Sequence, residues 1–143
     1  MTEIVGQSPL AKKESIARPV MRVFLRMIAL YCLLFGFLYW VRLVGYYDGP
    51  LWRFDLMPIH WQVAAVTLAV FFPIAAIGLW GLTSWGPVIW FICAAVETIM
   101  YAVFPDLFGN RLPVVISHAL VAAFYIALRV ALHVERRRAA ERI

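Results

Sequence analysis

One acid and one imidazole stand inside long apolar runs: Glu97 in the run Pro87–Phe104 and His118 in the run Leu112–Val134. Glu97 lies seven positions before the end of its run, which at about 1.5 Å per helical residue sets it on the order of 10 Å below a membrane interface. A side chain that short cannot snorkel out, and an ionised carboxylate in hydrocarbon costs several kcal/mol. It must face protein, bind a proton, or have a partner. His118 lies at matching depth, about seven positions into the following run, so two antiparallel neighbouring helices would bring the pair within hydrogen-bonding reach. Trp90 and Tyr101 flank Glu97 on its own helical face, and Tyr125 and Arg129 follow His118 on its face. A polar stripe from mid-bilayer toward the terminal end of the bundle is expected. The pair has two readings: an internal clamp that fixes helix register, or a proton-responsive or ligand-binding site. Glu97 meeting Arg42, or a residue of another subunit, is the remaining arrangement.

Other chemistry finds less support. A haem or quinone site would centre on His118, but His60 and His133 fall at different depths, which makes two-histidine ligation awkward. Cys32 and Cys93 have no CxxC or metal spacing and read as packed free thiols. Neither a phosphate-binding loop, a GxSxG or HExxH motif nor a catalytic carboxylate pair is present. The expectation is therefore no enzyme, no metal and no cofactor.

The elements that must carry these residues follow from composition. Of 143 residues 64% are hydrophobic and 15% charged, and the mean hydropathy of +0.84 excludes an ordinary soluble monomer. Four runs reach the roughly 20 residues that cross a hydrocarbon core: 27–44, 59–79, 87–104 and 112–134. Their backbones must satisfy their own hydrogen bonds in lipid, and they lack the alternation of barrel strands, so each should be helical. The expected architecture is an all-α four-helix membrane bundle over 23–134, with an N-terminal arm over 1–22 and a basic tail over 135–143. Trp40 and Trp61 should mark one interface and Trp80 and Trp85 the other.

The net charge of +5 flanks the apolar runs, a pattern that orients a membrane protein and gives no reason to expect nucleic acid. Lys12, Lys13, Arg18, Arg22 and Arg26 precede the first run, and Arg136, Arg137, Arg138 and Arg142 follow the last. Both termini are expected in the cytoplasm, with the tail arginines on anionic lipid. In the two external loops, Arg42, Arg53 and Arg111 balance Asp48, Asp55 and Asp106, and Arg42 is expected to snorkel outward. The basic flank of the first run resembles that of a signal peptide, but no small-residue cleavage site follows, so it should remain as an anchor. Residues 1–18 read as a mobile polar arm.

The segment Gly45–Pro58 carries Tyr46, Tyr47, Trp52 and Phe54 among turn residues, a headgroup-level loop or a partner-docking one. Pro73 should bend the second helix and could act as a hinge. Ala65, Ala69 and Ala76 share its face and allow close helix approach. The short uncharged link Gly81–Gly86 predicts a tight hairpin.

The stretches Arg53-Phe54-Asp55-Leu56-Met57-Pro58-Ile59-His60-Trp61 and Ser84-Trp85-Gly86-Pro87-Val88-Ile89-Trp90, the helix around Pro73, and Glu97 with Met100-Tyr101 and Phe104-Pro105 carry a resemblance. Over about Val23 to Arg138 the chain resembles an uncharacterised family of small four-span inner-membrane proteins from alphaproteobacteria. The resemblance implies a bacterial inner membrane and brings no activity with it. Small multidrug exporters also have four helices and a membrane glutamate, but theirs is in the first helix, and nothing of theirs is carried over. The expected function is a non-enzymatic accessory or scaffold protein whose partners are membrane lipids and another membrane protein or a second copy. The alternatives are a small proton-coupled transporter using Glu97 and a haem- or quinone-binding subunit using His118.

Overall fold

The computed structural model describes residues 16–143. Among them the regular structure is helical: α1 (Ala17–Val44), a 3-10 turn (Phe54–Leu56), α2 (Ile59–Trp80), α3 (Gly86–Thr98) with a π turn (Ile99–Val103) directly after it, the one-turn α4 (Pro105–Phe108), and α5 (Leu112–Glu141). Four stretches are long and apolar enough to cross a membrane: α1, α2, α3 with its π turn, and α5.

Proline marks four helix starts, the one-turn α4 at Pro105 among them. Pro19, Pro87 and Pro113 fall in the first turns of α1, α3 and α5, where the missing N–H would have had no helical partner in any case. Gly45 ends α1 in the left-handed conformation (φ 74°), its N–H returning to the Val41 carbonyl at 3.2 Å. Two helices outrun the apolar stretches that define their spans. α1 begins at Ala17, so Arg18 and Arg22 are helical, and α5 carries the basic tail on to Glu141. A helix need not end at the edge of the hydrocarbon. The remainder of the arm lies outside the described residues.

Neighbouring helices run antiparallel, and small residues set how closely α1, α2 and α3 approach. A Cβ on Gly36 of α1 would stand 2.9 Å from the Pro73 ring of α2, and one on Gly86 would stand 2.5 Å from the Gly78 backbone. The hairpin between α2 and α3 is therefore a backbone-to-backbone contact. Thr83 secures it, its hydroxyl donating to the Gly78 carbonyl at 2.9 Å and accepting the Gly86 N–H at 3.2 Å. Ala65, Ala69 and Ala76 are buried on the α2 face, as are Leu68 and Phe72.

Pro73 lies inside a continuous α2. Having no N–H, it leaves the Ala69 carbonyl one turn earlier without its usual donor, and the Trp40 indole N–H of α1 fills that role at 2.9 Å. Trp40 is thus half exposed yet tied to the neighbouring helix. Trp61, expected at the interface, is 2% exposed and belongs to the core, where Phe108 packs edge-on to its ring at 5.2 Å and the Arg42 guanidinium lies over it.

Candidate functional site: a carboxyl held by three helices

Glu97 is 1% exposed and His118 3%. Helix α3 presents Glu97 two residues before the π turn begins, and α5 presents His118 as its only fully buried residue. The structure brings them together: His118 Nε2 is 2.6 Å from Glu97 Oε2. The contact is a short hydrogen bond between imidazole and carboxyl. The other carboxyl oxygen, Oε1, accepts the Tyr39 hydroxyl of α1 at 2.7 Å. Three helices therefore meet on one side chain, and each carboxyl oxygen has a short hydrogen bond.

Tyr39 is the participant that depth matching did not identify. Its signal lies in the spacing Ala29, Cys32, Gly36, Tyr39, all buried, which is one face of α1 with small residues leading up to a tyrosine. Tyr39 stacks on Phe72 of α2, with ring centroids 5.9 Å apart and an interplanar angle of 16°. The ring is thus fixed by apolar packing while its hydroxyl points at the acid.

The polar connection extends toward the loop end of the bundle, opposite to the stripe expected from sequence. The Tyr101 hydroxyl neighbours that of Tyr39, the π turn having kept Tyr101 buried on the inner side of α3. The Arg42 guanidinium rests over the Tyr39 ring at 5.9 Å, and Arg111 rests over Tyr101 at 5.8 Å. Arg42 makes no ion pair with Glu97, because Tyr39 stands between them. Nor does it snorkel. It is 7% exposed among Tyr39, Trp52 and Trp61, with the last two ring centroids 4.5 and 5.3 Å from its guanidinium carbon.

Toward the terminal end the line is broken. Trp90 packs against His118 with centroids 6.0 Å apart, and neither Trp90 Nε1 nor His118 Nδ1 has a hydrogen-bond partner among the described residues. Beyond them Tyr125 packs on Phe91 at 5.8 Å and carries Arg129 over its ring at 5.8 Å. Tyr125 and Arg129 are adjacent to each other but not joined to the acid by hydrogen bonds. Tyr31 closes another side, its ring edge-on to His118 and its hydroxyl 3.4 Å from Ser117 Oγ.

The remaining candidates are dispersed. His60 meets the Leu107 carbonyl at 3.0 Å at the loop end, and His133 is exposed near the end of α5, so neither comes near His118. Cys32 and Cys93 are free and buried. In the loop, Trp52 turns inward onto Arg42, Phe54 opens the 3-10 turn, and Tyr46 and Tyr47 are exposed. These two tyrosines join Phe37, Trp40, Val41 and Val44 in lining an apolar groove of about 340 Å³ on the outside of α1.

Helices of spanning length gathered around a buried acid–imidazole contact define the class: an all-helical protein with four helices long and apolar enough to span a membrane. The chain belongs to a family of unknown function, DUF6163, whose model matches residues 19–136. No curated protein and no solved structure matches it.

Proposed function

We propose that this chain is a non-enzymatic accessory or scaffold protein that crosses a bacterial inner membrane four times, both termini in the cytoplasm, and acts through contacts with another membrane protein or a second copy. The basic flanks at both chain ends support the orientation. The resemblance to alphaproteobacterial inner-membrane proteins supports the address. One observation carries the functional reading: both oxygens of Glu97 are occupied by side chains from other helices, Tyr39 and His118. An acid so engaged holds helices together, and the groove beside Tyr46 and Tyr47 lies elsewhere, on the outside of α1. Exposed aromatic anchors beside an apolar groove are the features that partner surfaces use.

Crosslinking in native membranes tests this. The wild-type chain is expected to yield a discrete crosslinked species. The double variant Tyr46→Ala/Tyr47→Ala should lose it roughly tenfold or more while keeping the melting temperature of the wild type. A monodisperse monomer with no crosslinked species overturns the scaffold reading.

A small proton-coupled transporter is the second reading, favoured by the short Glu97–His118 hydrogen bond and by the Nδ1 of His118, which has no partner among the described residues. In that reading Glu97 binds and releases the proton, His118 tunes it, and Pro73 supplies the hinge. Glu97→Gln separates the two. A transporter loses proton uptake into vesicles and keeps its fold, whereas a scaffold shows no uptake in either form and melts earlier as the variant.

A further inference from the structure

The loop end of the bundle contains positive charge that the described residues do not neutralise. Arg42 is more than nine-tenths buried, and its Nη1 has no hydrogen-bond partner among the described residues. The rings of Tyr39, Trp52 and Trp61 around it stabilise a cation through their faces, but a ring face is a poor acceptor for a guanidinium N–H in its own plane. A second guanidinium stands close by. Arg111 is exposed and lies over Tyr101, whose hydroxyl neighbours that of Tyr39, so the two cations are within electrostatic reach of one another.

The carboxylates that could compensate them are engaged or make no ion pair. Arg53 takes both Asp55, at 2.8 Å, and Asp48, at 3.9 Å. Glu97 is occupied by Tyr39 and His118, and Asp106 is exposed and makes no ion pair among the described residues. The count of three arginines against three aspartates that balances in the sequence does not balance in space, because one arginine holds two of the acids. Bringing two like charges together beside a buried, unsatisfied N–H is costly unless an anion joins them.

We propose that Arg42 and Arg111 form a binding site for an anionic phosphate group at the loop end of the bundle. A phosphate offers several acceptor oxygens at the spacing of a guanidinium fork, and two arginines can grip it, Arg42 from α1 and Arg111 from the residue that precedes α5. Trp52 stacks on the Arg42 guanidinium at 4.5 Å, and Arg111 is the exposed member of the pair. The group is supplied either by an anionic lipid headgroup or by free phosphate.

The test uses the full chain purified in a neutral maltoside detergent, with its melting temperature read in matched ionic strength. The additions are phosphatidylglycerol, phosphatidylcholine, or inorganic phosphate alone. Phosphatidylglycerol is expected to raise the melting temperature by roughly 5 °C at saturation, with phosphatidylcholine much weaker because its choline already neutralises the phosphate. An equal rise with inorganic phosphate also supports the site and assigns it to free phosphate. Arg111→Gln, at an exposed position, should remove at least half of the rise, and Arg42→Lys, which keeps the charge and loses the fork, should weaken it further. If neither phosphate source raises the melting temperature above the chloride control, or if the rise is unchanged in both variants, the proposal is overturned.

Discussion

Helices α2 and α5 have 22 and 30 residues and share one bundle, but they are held in opposite ways. α2 is locked by shape. Its alanines, Gly78 and Pro73 let the backbones of α1 and α3 come close, and its buried residues recur along its whole length. α5 presents mostly large apolar side chains outward, among them Ile116, Leu120 and Ile126, and buries only His118 completely. Lipid is as apolar as leucine, so no hydrophobic force drives α5 onto its neighbours. Close packing suffices for α2, whereas α5 depends on a polar contact and a few rings such as the Phe24–Phe124 pair at 4.8 Å. In a bilayer, apolar area alone does not determine which helices associate.

Breaking the polar contact should have the largest effect. His118→Ala removes the one buried residue of α5 and leaves Glu97 Oε2 without a partner, at about 3 kcal/mol, the low end for breaking a buried pair. Unfolding in detergent micelles measures the loss, and a crosslink between Tyr31→Cys and Ser117→Cys reports whether α5 still docks. A docked α5 with unchanged stability would show that rings alone suffice. Gly86→Ala attacks the shape-locked side. Its methyl would meet the Gly78 backbone, an overpacking cost of about 1–3 kcal/mol, read in the same unfolding measurement. Trp40→Phe leaves the Ala69 carbonyl without a donor at about 1 kcal/mol. Adding Pro73→Ala, which restores an N–H at that position, should recover most of the loss; if the double variant is as unstable as the sum of the two singles, the tie is not what links these residues. Leu120→Ala, on the outward face of α5, should stay within about 0.5 kcal/mol of the wild type.

The spans were legible because length and hydropathy are properties of the chain alone. Glu97 and His118 could be paired because sequential antiparallel helices make depth a matter of counting from the shared loop. Tyr39 could not be found that way. It lies 58 residues from Glu97, and a tyrosine near a helix end is indistinguishable in sequence from an interfacial anchor. The same ambiguity applies to Trp61 and Arg42: counted from the ends of their spans both belong at the interface, and contacts from elsewhere in the chain, Phe108 on Trp61 and Trp52 on Arg42, enclose them. The π turn after Thr98 left no composition signal, although it determines how Tyr101 follows Glu97. Trp40 was hidden because its acceptor exists only where a proline in another helix has freed a carbonyl.

The Tyr39 hydroxyl on Glu97 has a consequence for biogenesis. A ribosome delivers α1 and α2 to the membrane before α3, so the acid enters the bilayer with a donor already waiting on an earlier segment. His118 is made 21 residues later. Until then Tyr39 is the donor available to the acid, and the imidazole that completes its pair comes with α5, the helix that buries no other residue.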